Sequence, residues 1–241
     1  MVGLAALDPP YNSSKLKMNE HLAVIFDMDG VLVDTYHAHF ESWQVVAAEE
    51  GRSLTEAQFA PTFGRTSREV IAALWAEGRY DEADIAALDD RKEAAFRRII
   101  HARFPAMAGV MELLTALNES GFNLAVGSSG PPENVDLVLD TLAARPLFGA
   151  VVTGTDVSRG KPDPQVFLIA AARLGITPER CAVIEDAPAG IAAAQAANML
   201  PVALASTGRT RESLSAAALI VDSLSELSAE VLHRLISGSE G

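Results

Sequence analysis

Two aspartates, Asp27 and Asp29, stand two residues apart directly after the apolar run Leu22–Phe26. Like charges this close at the end of a buried strand repel each other strongly, because little water is present to screen them. A sequence that keeps such a pair uses it to hold a metal ion, to attack a substrate or to share protons. The pair is therefore the first candidate for chemistry in this chain.

Polar groups of other kinds follow the later apolar runs. They are Ser128 and Ser129 after Asn123–Gly127, Lys161 in a loop after Ala150–Thr153, and Glu185 and Asp186 after Cys181–Ile184. In open parallel sheets, ligands bind beyond the carboxyl ends of the strands. We therefore expect all these groups to converge with the two aspartates on one pocket.

The predicted pocket gathers up to four carboxylates, those of Asp27, Asp29, Glu185 and Asp186, against a single nearby cation, Lys161. Such an excess of negative charge requires a hard cation, and oxygen ligands favour Mg²⁺. Mg²⁺ often binds through one or two carboxylates together with a substrate phosphate. We predict Mg²⁺ as the cofactor, with these four carboxylates as its ligands.

The same residues predict a phosphoryl-transfer mechanism. Ser128 supplies a hydroxyl beside a helix N-terminus, which is a natural seat for an anion, and Lys161 is a point charge suited to a phosphate oxygen. Asp27 is the predicted nucleophile, which forms an aspartyl-phosphate. Asp29 is the predicted acid and base: it protonates the leaving group and then deprotonates the incoming water or alcohol.

Other chemistries find no support in the chain. It contains no Gly-x-x-x-x-Gly-Lys-Ser/Thr phosphate loop, no His-Glu-x-x-His zinc helix and no Gly-x-Ser-x-Gly nucleophile elbow. The net charge of −13 disfavours a nucleic-acid partner. Cys181 is the only cysteine, and no apolar stretch approaches the ~20 residues that span a bilayer. We expect a cytoplasmic protein with neither a membrane nor a nucleic-acid partner.

The apolar runs and the segments between them predict the fold. Six short runs are expected to be strands: Leu22–Phe26, Asn123–Gly127, Ala150–Thr153, Cys181–Ile184, Pro201–Ala205 and Leu219–Val221. Helical spacing of apolar residues marks Val110–Glu119, Glu133–Leu142, Pro164–Leu174 and Ala189–Ala197. Apolar strands that alternate with amphipathic helices predict a Rossmann-like α/β fold, a parallel sheet with helices on both faces.

The stretch between the first two runs breaks this rhythm. It contains only helical patterns, at Phe40–Glu50, Ser67–Glu77 and Glu82–Arg103. We predict an inserted all-helical cap domain over residues 37–104, which leaves the sheet beside the two aspartates and lies over them. The α/β core domain would then comprise residues 20–36 and 105–241, after a flexible tail over residues 1–19.

Taken together, these segments resemble the four motifs of the haloacid dehalogenase superfamily from about residue 20 onward. The motifs are Asp27-Met28-Asp29-Gly30-Val31-Leu32, Ser128, Lys161 in Gly-Lys-Pro-Asp-Pro, and Glu185-Asp186-Ala187-Pro188-Ala189-Gly190-Ile191. The resemblance implies an enzyme in which Asp27, Asp29, Ser128 and Lys161 are catalytic. An aspartate as the second carboxylate suggests phosphoryl transfer rather than dehalogenation.

The predicted cap resembles the small cap of the subgroup that contains β-phosphoglucomutase and related sugar-phosphate phosphatases. This likeness rests on Asp34-Thr35, His39, Trp43 and Gly64-Arg65-Thr66-Ser67-Arg68-Glu69. It implies that Arg68 grips the distal end of the substrate and that His39 lies at the hinge, near the acid and base. The alternatives are a surface arginine and a solvent-facing histidine. Gly30 and Ser129 are also assigned to substrate binding, and Lys92 has a modest claim to reach the pocket.

One departure from the mutase pattern bears on the reaction. After the motif-two serine, mutases continue with Ser-Lys-Asn types, whereas this chain has Gly130-Pro131-Pro132 and so lacks those side-chain donors. This favours a phosphatase, whose acceptor is water. We predict that it acts on a small phosphorylated metabolite, a sugar phosphate, and that it is a monomer. A phosphohexomutase is the alternative, with a bisphosphorylated activator and a cap that excludes water. A non-catalytic binding or regulatory protein is a more distant alternative, because such a protein need not keep both Asp27 and Asp29.

Overall fold

A computed structural model of the protein describes residues 21–75 and 80–238. The predicted tail over residues 1–19 lies outside the described residues. Within them, no helix has both the length and the apolar character that crossing a membrane demands.

Six parallel strands form one sheet in the order β3-β2-β1-β4-β5-β6. The strands are β1 Ala23–Phe26, β2 Asn123–Gly127, β3 Ala150–Val152, β4 Cys181–Glu185, β5 Leu200–Leu204 and β6 Leu219–Val221. Phe26 at the end of β1 is in register with Val126 of β2 and Ile184 of β4. The carboxyl ends of the three central strands therefore lie level, and the predicted parallel sheet is confirmed.

Apart from Asn123 at the start of β2 and Glu185 at the end of β4, the strands are apolar, because both faces of the sheet are buried. Along β1, Val24 and Phe26 pack into one hydrophobic cluster, whereas Ala23 and Ile25 pack into another on the opposite face. Helices cover both faces. The helices of this part are α5 Val110–Glu119, α6 Pro132–Thr141, α7 Gln165–Leu174, α8 Pro188–Ala196 and α9 Ala229–Ser237.

Between β1 and α5, the described residues form four α-helices, which we call the cap. They are α1 Tyr36–Glu49, α2 Glu56–Phe59, α3 Ser67–Trp75 and α4 Glu82–Ala102. The cap has a hydrophobic cluster of its own, built around Trp43, Phe59, Trp75 and Leu88. Helix α1 begins at Tyr36, four residues before the predicted start at Phe40.

Helix α4 belongs to both parts of the molecule. Its residue Leu88 packs in the cap cluster, whereas Phe96 and Ile100 pack in the sheet cluster that contains Val24 and Phe26. The helix therefore passes from cap to core between these positions. The last turns of α4 lie inside the predicted cap range, yet they pack with the sheet.

Helix α9 was not among the predicted helices. Leu232 is its one buried residue, and the helix packs against α5 beside the sheet. The Ser228 hydroxyl accepts a hydrogen bond from the Val231 N–H (3.2 Å) at the start of the helix.

Candidate active site

A cavity of about 500 Å³ lies between the carboxyl ends of the strands and the cap. Asp27, Asp29 and Lys161 are among the groups that line it from the core, together with Glu185 and Asp186. The polar groups predicted to converge from several strand ends do meet at one edge of the sheet.

Three of these groups form a compact acidic cluster. One carboxylate oxygen from each of Asp27, Glu185 and Asp186 lies within 4.8 Å of the others, and all three residues are buried. The Lys161 ammonium donates hydrogen bonds to Asp27 Oδ1 (2.8 Å) and to Glu185 Oε1 (2.7 Å). It also lies over the Phe167 ring, 4.8 Å from the ring centroid. Lys161 is thus fixed between the predicted nucleophile and the first carboxylate of motif four.

Two glycines make room for this cluster. A Cβ atom at Gly190 would lie 1.8 Å from Glu185 Oε1, and one at Gly30 would lie 2.2 Å from Asp186 Oδ2. Gly30 also has a φ of +74°, which side chains disfavour, and its N–H donates to the Val33 carbonyl (2.8 Å). Gly30, predicted to bind substrate, is placed against Asp186 and not on the cavity wall.

The charges in the cluster are not balanced by its cations. Burial raises the pKa of Asp27, Lys161 acts in the opposite direction, and the charge of Glu185 adds to the increase, so the pKa lies well above its ordinary value. Burial and Glu185 raise the pKa of Asp186 to about 7. Three buried carboxylates with this much mutual repulsion and only oxygen donors fit a hard divalent cation such as Mg²⁺.

Asp29, which was predicted as the fourth metal ligand, does not join the acidic cluster. Its Oδ1 lies 3.2 Å from His39 Nε2, and its carboxylate is not one of the three in the cluster. Burial acts to raise the pKa of Asp29, but the hydrogen bond from His39 and the charge of Lys92 hold the pKa below its ordinary value. The Asp29 side chain is therefore directed to the cap and away from the predicted metal site.

His39 is an ordered residue at the junction of cap and core. Its ring stacks on Phe96 with 4.3 Å between ring centroids, and its Nδ1 lies 2.9 Å from Lys92 Nζ. Lys92 is 4% exposed and lines the cavity. The structure therefore favours the hinge position for His39 over a solvent-facing one, and it brings Lys92 to the pocket.

Ser128 and Ser129 take separate positions. Ser128 is fully buried, and its Oγ accepts a hydrogen bond from the Gly130 N–H (3.0 Å), which closes the turn before α6. Ser129 and Gly130 lie on the cavity wall. The predicted contact between the Ser128 hydroxyl and a phosphoryl group stays a prediction.

Arg68 lies on the cavity wall in the cap but is already paired. Its guanidinium donates to both carboxylate oxygens of Glu82, with Nη1 to Oε1 at 2.7 Å, and its side chain is 57% exposed. This pair joins the start of α3 to the start of α4. Arg68 can bind the distal end of a substrate, as predicted, only when its pair with Glu82 opens.

A second cation near the cluster, Arg209, corrects the expectation that Lys161 stands alone. Its Nε lies 3.5 Å from Asp186 Oδ2, and its guanidinium lies over the Phe63 ring of the cap, 4.8 Å from the centroid. Arg209 follows β5 by five residues, so the rule that ligand groups follow strand ends points to it. Arg209 was not predicted, because candidate groups were taken only from the ends of the first four strands.

Comparisons with known proteins agree with this geometry. A family model described as haloacid dehalogenase-like hydrolase matches residues 21–198. The β-phosphoglucomutase of Bacillus subtilis (strain 168) is 34% identical over 217 residues, which is 88% of this chain and 93% of that protein. A phosphorylated carbohydrates phosphatase of Thermotoga maritima is 32% identical over 177 residues, 73% of this chain and 82% of that protein.

A solved structure shows the same fold. The crystal structure of β-phosphoglucomutase from Clostridium difficile superposes with a TM-score of 0.81 at 25% sequence identity, covering 91% of this chain and 98% of that one. The agreement extends over the sheet and the cap together.

Proposed function

Because the chain belongs to the haloacid dehalogenase-like hydrolases, we propose that it is an Mg²⁺-dependent phosphatase acting on a small phosphorylated metabolite, a sugar phosphate, through an aspartyl-phosphate. The observation that carries this proposal is the position of Asp27. It is a buried carboxylate, held by Lys161 beside two further carboxylates, and it opens into a cavity that the cap covers.

In the first half of the reaction, an Asp27 carboxylate oxygen attacks the phosphorus atom and the bond from phosphorus to the sugar oxygen breaks. The sugar oxygen takes its proton from Asp29. Asp29 is ionised in the free protein, because its pKa lies below the ordinary value. A substrate phosphate that enters beside Asp29 raises this pKa by like-charge repulsion, which favours the protonated form that the first half requires.

In the second half, a water molecule attacks the phosphorus of the aspartyl-phosphate. Asp29 removes the proton of this water, and the bond from phosphorus to Asp27 breaks to release inorganic phosphate. Asp27, Glu185 and Asp186 would hold Mg²⁺, whose charge offsets the repulsion between the nucleophile and the phosphate and polarises the phosphoryl oxygens. Lys161 bridges the Asp27 and Glu185 carboxylates and keeps both oriented.

The choice of phosphatase over mutase rests on groups that line the cavity from the core and from the cap. A mutase must hold a second phosphate, yet Gly130-Pro131-Pro132 offers no side-chain donor and Arg68 is paired with Glu82. Asp89 and Glu93 add negative charge to the same wall. A phosphohexomutase remains the alternative because a β-phosphoglucomutase is among the relatives.

A panel of sugar phosphates tests this proposal, assayed with Mg²⁺ for released phosphate and separately for isomerised product. We expect Mg²⁺-dependent phosphate release that falls at least about 1,000-fold in Asp27→Asn, because the amide is a poor nucleophile. Isomerised product formed faster than free phosphate would establish the mutase instead. Phosphate release that Asp27→Asn leaves unchanged would refute the aspartyl-phosphate mechanism. The absence of both products would leave a binding protein.

We further propose that the enzyme works as a monomer in the cytoplasm. Cys181, the one cysteine of the chain, is a buried free thiol, which suits a reducing compartment. Sedimentation of the purified protein tests the monomer, and fractionation of cells tests the compartment.

A further inference from the structure

A buried polar connection links α6 of the core to α4 through Asn134. This residue is 1% exposed. Its Oδ1 accepts a hydrogen bond from Arg97 Nη1 (3.0 Å), and its Nδ2 donates to Glu93 Oε2 (2.6 Å). The orientation of the amide is fixed by chemistry, since a guanidinium can only donate and a carboxylate can only accept.

Glu93 carries the connection towards the cavity. Its second oxygen, Oε1, accepts a hydrogen bond from Lys92 Nζ (2.6 Å), which in turn donates to His39 Nδ1 (2.9 Å). An ammonium group has no acceptor, so His39 Nδ1 must be unprotonated. The ring proton of His39 therefore sits on Nε2, which faces Asp29 Oδ1 at 3.2 Å. The tautomer of His39 thus depends on where Lys92 is held.

We propose that Glu93 and Asn134 are positioning residues that hold Lys92 against His39, so that His39 presents Nε2–H to Asp29. This inference rests on the proposed function, in which Asp29 exchanges the proton of the reaction. Asn134 lies in the first turn of α6, directly after the Ser128–Gly130 turn. The connection therefore joins the segment that borders the phosphoryl side of the cavity to the group that handles the proton.

Stability alone does not account for this arrangement. The side chains of Lys92 and Glu93 are 6% and 13% exposed, and a buried ion pair contributes little net stability because both charges lose their hydration. Apolar side chains at the same positions would fill the space between α4 and α6 as well. What the polar groups provide is a fixed direction for the Lys92 ammonium, which apolar packing cannot give.

Exchange of the acid at position 93 with the amide at position 134 tests the inference. In Glu93→Gln, the single amide oxygen can accept from Lys92 or from Asn134 but not from both. In Asn134→Asp, a carboxylate faces Glu93, so each change removes one hydrogen bond of the connection. In the double variant, the amide introduced at position 93 can donate to the carboxylate introduced at position 134, while its oxygen still accepts from Lys92. Arg91→Gln is the control, since Arg91 adjoins Lys92 but pairs with Glu49 and Glu50 on the exposed side of α4.

We expect each single variant to lower kcat by about tenfold or more with KM changed by less than about threefold, and the double variant to recover to within about threefold of the wild-type kcat. Arg91→Gln should match the wild type. Single variants that keep the wild-type kcat would overturn the inference. A double variant whose fold-decrease in kcat equals the product of the two single decreases would also overturn the inference.

A measurement without turnover separates this inference from the proposed function. The ¹⁵N shifts of labelled His39 should show the Nε2–H tautomer at neutral pH in the wild type and the double variant, and a changed state in each single variant. A protonated Nδ1 in the wild type would overturn the inference. A wild type that releases phosphate from no sugar phosphate overturns the proposed function, while the tautomer still tests the connection.

Discussion

At the scale of single residues, the site depends on glycine, whose lack of a side chain leaves room for a buried carboxylate. Glu185 occupies the space that a side chain at position 190 would fill, since a Cβ there would lie 1.8 Å from Glu185 Oε1. Gly190 lies within α8, where glycine is the poorer helix former. The helix thus gives up some intrinsic stability to seat a buried carboxylate.

Gly190→Ala should therefore disrupt the site even though alanine favours a helix. We expect the displaced Glu185 to lose its contact with Lys161, and phosphate release to fall by about 100-fold or more. The matched control is Gly160→Ala, one residue from Lys161, where a Cβ would meet no atom within 4 Å. Phosphatase assays on both variants check this, and similar activities in the two would contradict it.

At the scale of elements, α4 is the feature that joins cap and core. Leu88 and Ile100 lie on the same helix and are 2% and 0% exposed, but they pack in different clusters. Truncation of either leaves a cavity that costs about 2–5 kcal/mol. Truncation of Leu88 should destabilise the cap, and truncation of Ile100 should destabilise the core.

Hydrogen exchange on Leu88→Ala and Ile100→Ala checks this expectation. Leu88→Ala should speed amide exchange in α1 and α3 and leave β1 protected, because its cavity opens inside the cap. Ile100→Ala should speed exchange in α5 and β1, which share its cluster. Identical exchange patterns in the two variants would show that the clusters unfold together.

The elements were largely predictable from the sequence, and the reason is visible in β1 and α9. The strands are apolar on both faces because both are buried, so each stands out as a short run that ends at a polar group. Helix α9 was not predicted although Val231, Leu232, Leu235 and Ile236 recur at helical spacing, because no helix was assigned after the last apolar run. The four strand-end motifs were found because sheet topology alone brings them together.

The pairings between elements could not be predicted in this way. Arg68 meets Glu82 across two cap helices, and Arg209 meets Asp186 across two loops, so neither partner follows from local sequence. The same holds for Asn134 and Glu93, which are 41 residues apart. Such contacts depend on how elements that are distant in the sequence pack together, which no periodicity encodes.

At the scale of the whole molecule, the acidic cluster links folding to pH and to metal. Asp27 and Asp186 have raised pKa values, Asp186 at about 7. A carboxyl with a raised pKa stabilises the fold at low pH, and this contribution is lost as the pH rises through the folded-state value. Burial and the neighbouring Glu185 make ionisation of Asp186 unfavourable in the metal-free fold.

The metal-free protein should therefore lose thermal stability between about pH 5 and about pH 8. Asp29 and Glu93 have lowered pKa values, so they stay ionised and their contributions stay constant over this range. Mg²⁺ binds the ionised carboxylates, so its stabilising effect should grow over the same range.

Thermal melts in chelator and in Mg²⁺ measure this difference. Asp186→Asn is the control: its metal-free melting temperature should fall less with pH, and it should respond weakly to Mg²⁺. Parallel curves with and without the metal would contradict the assignment of the cluster.

Helix α4 also limits how proteins of this shape can be recombined. A chimera that exchanges residues 37–104 as a unit would carry foreign residues at Phe96 and Ile100 into the sheet cluster of its host. A junction inside α4, between Leu88 and Phe96, would leave each hydrophobic cluster with its own sequence. A chimera designed to change substrate preference should therefore have its junction within α4, at the turn that contains Lys92 and Glu93.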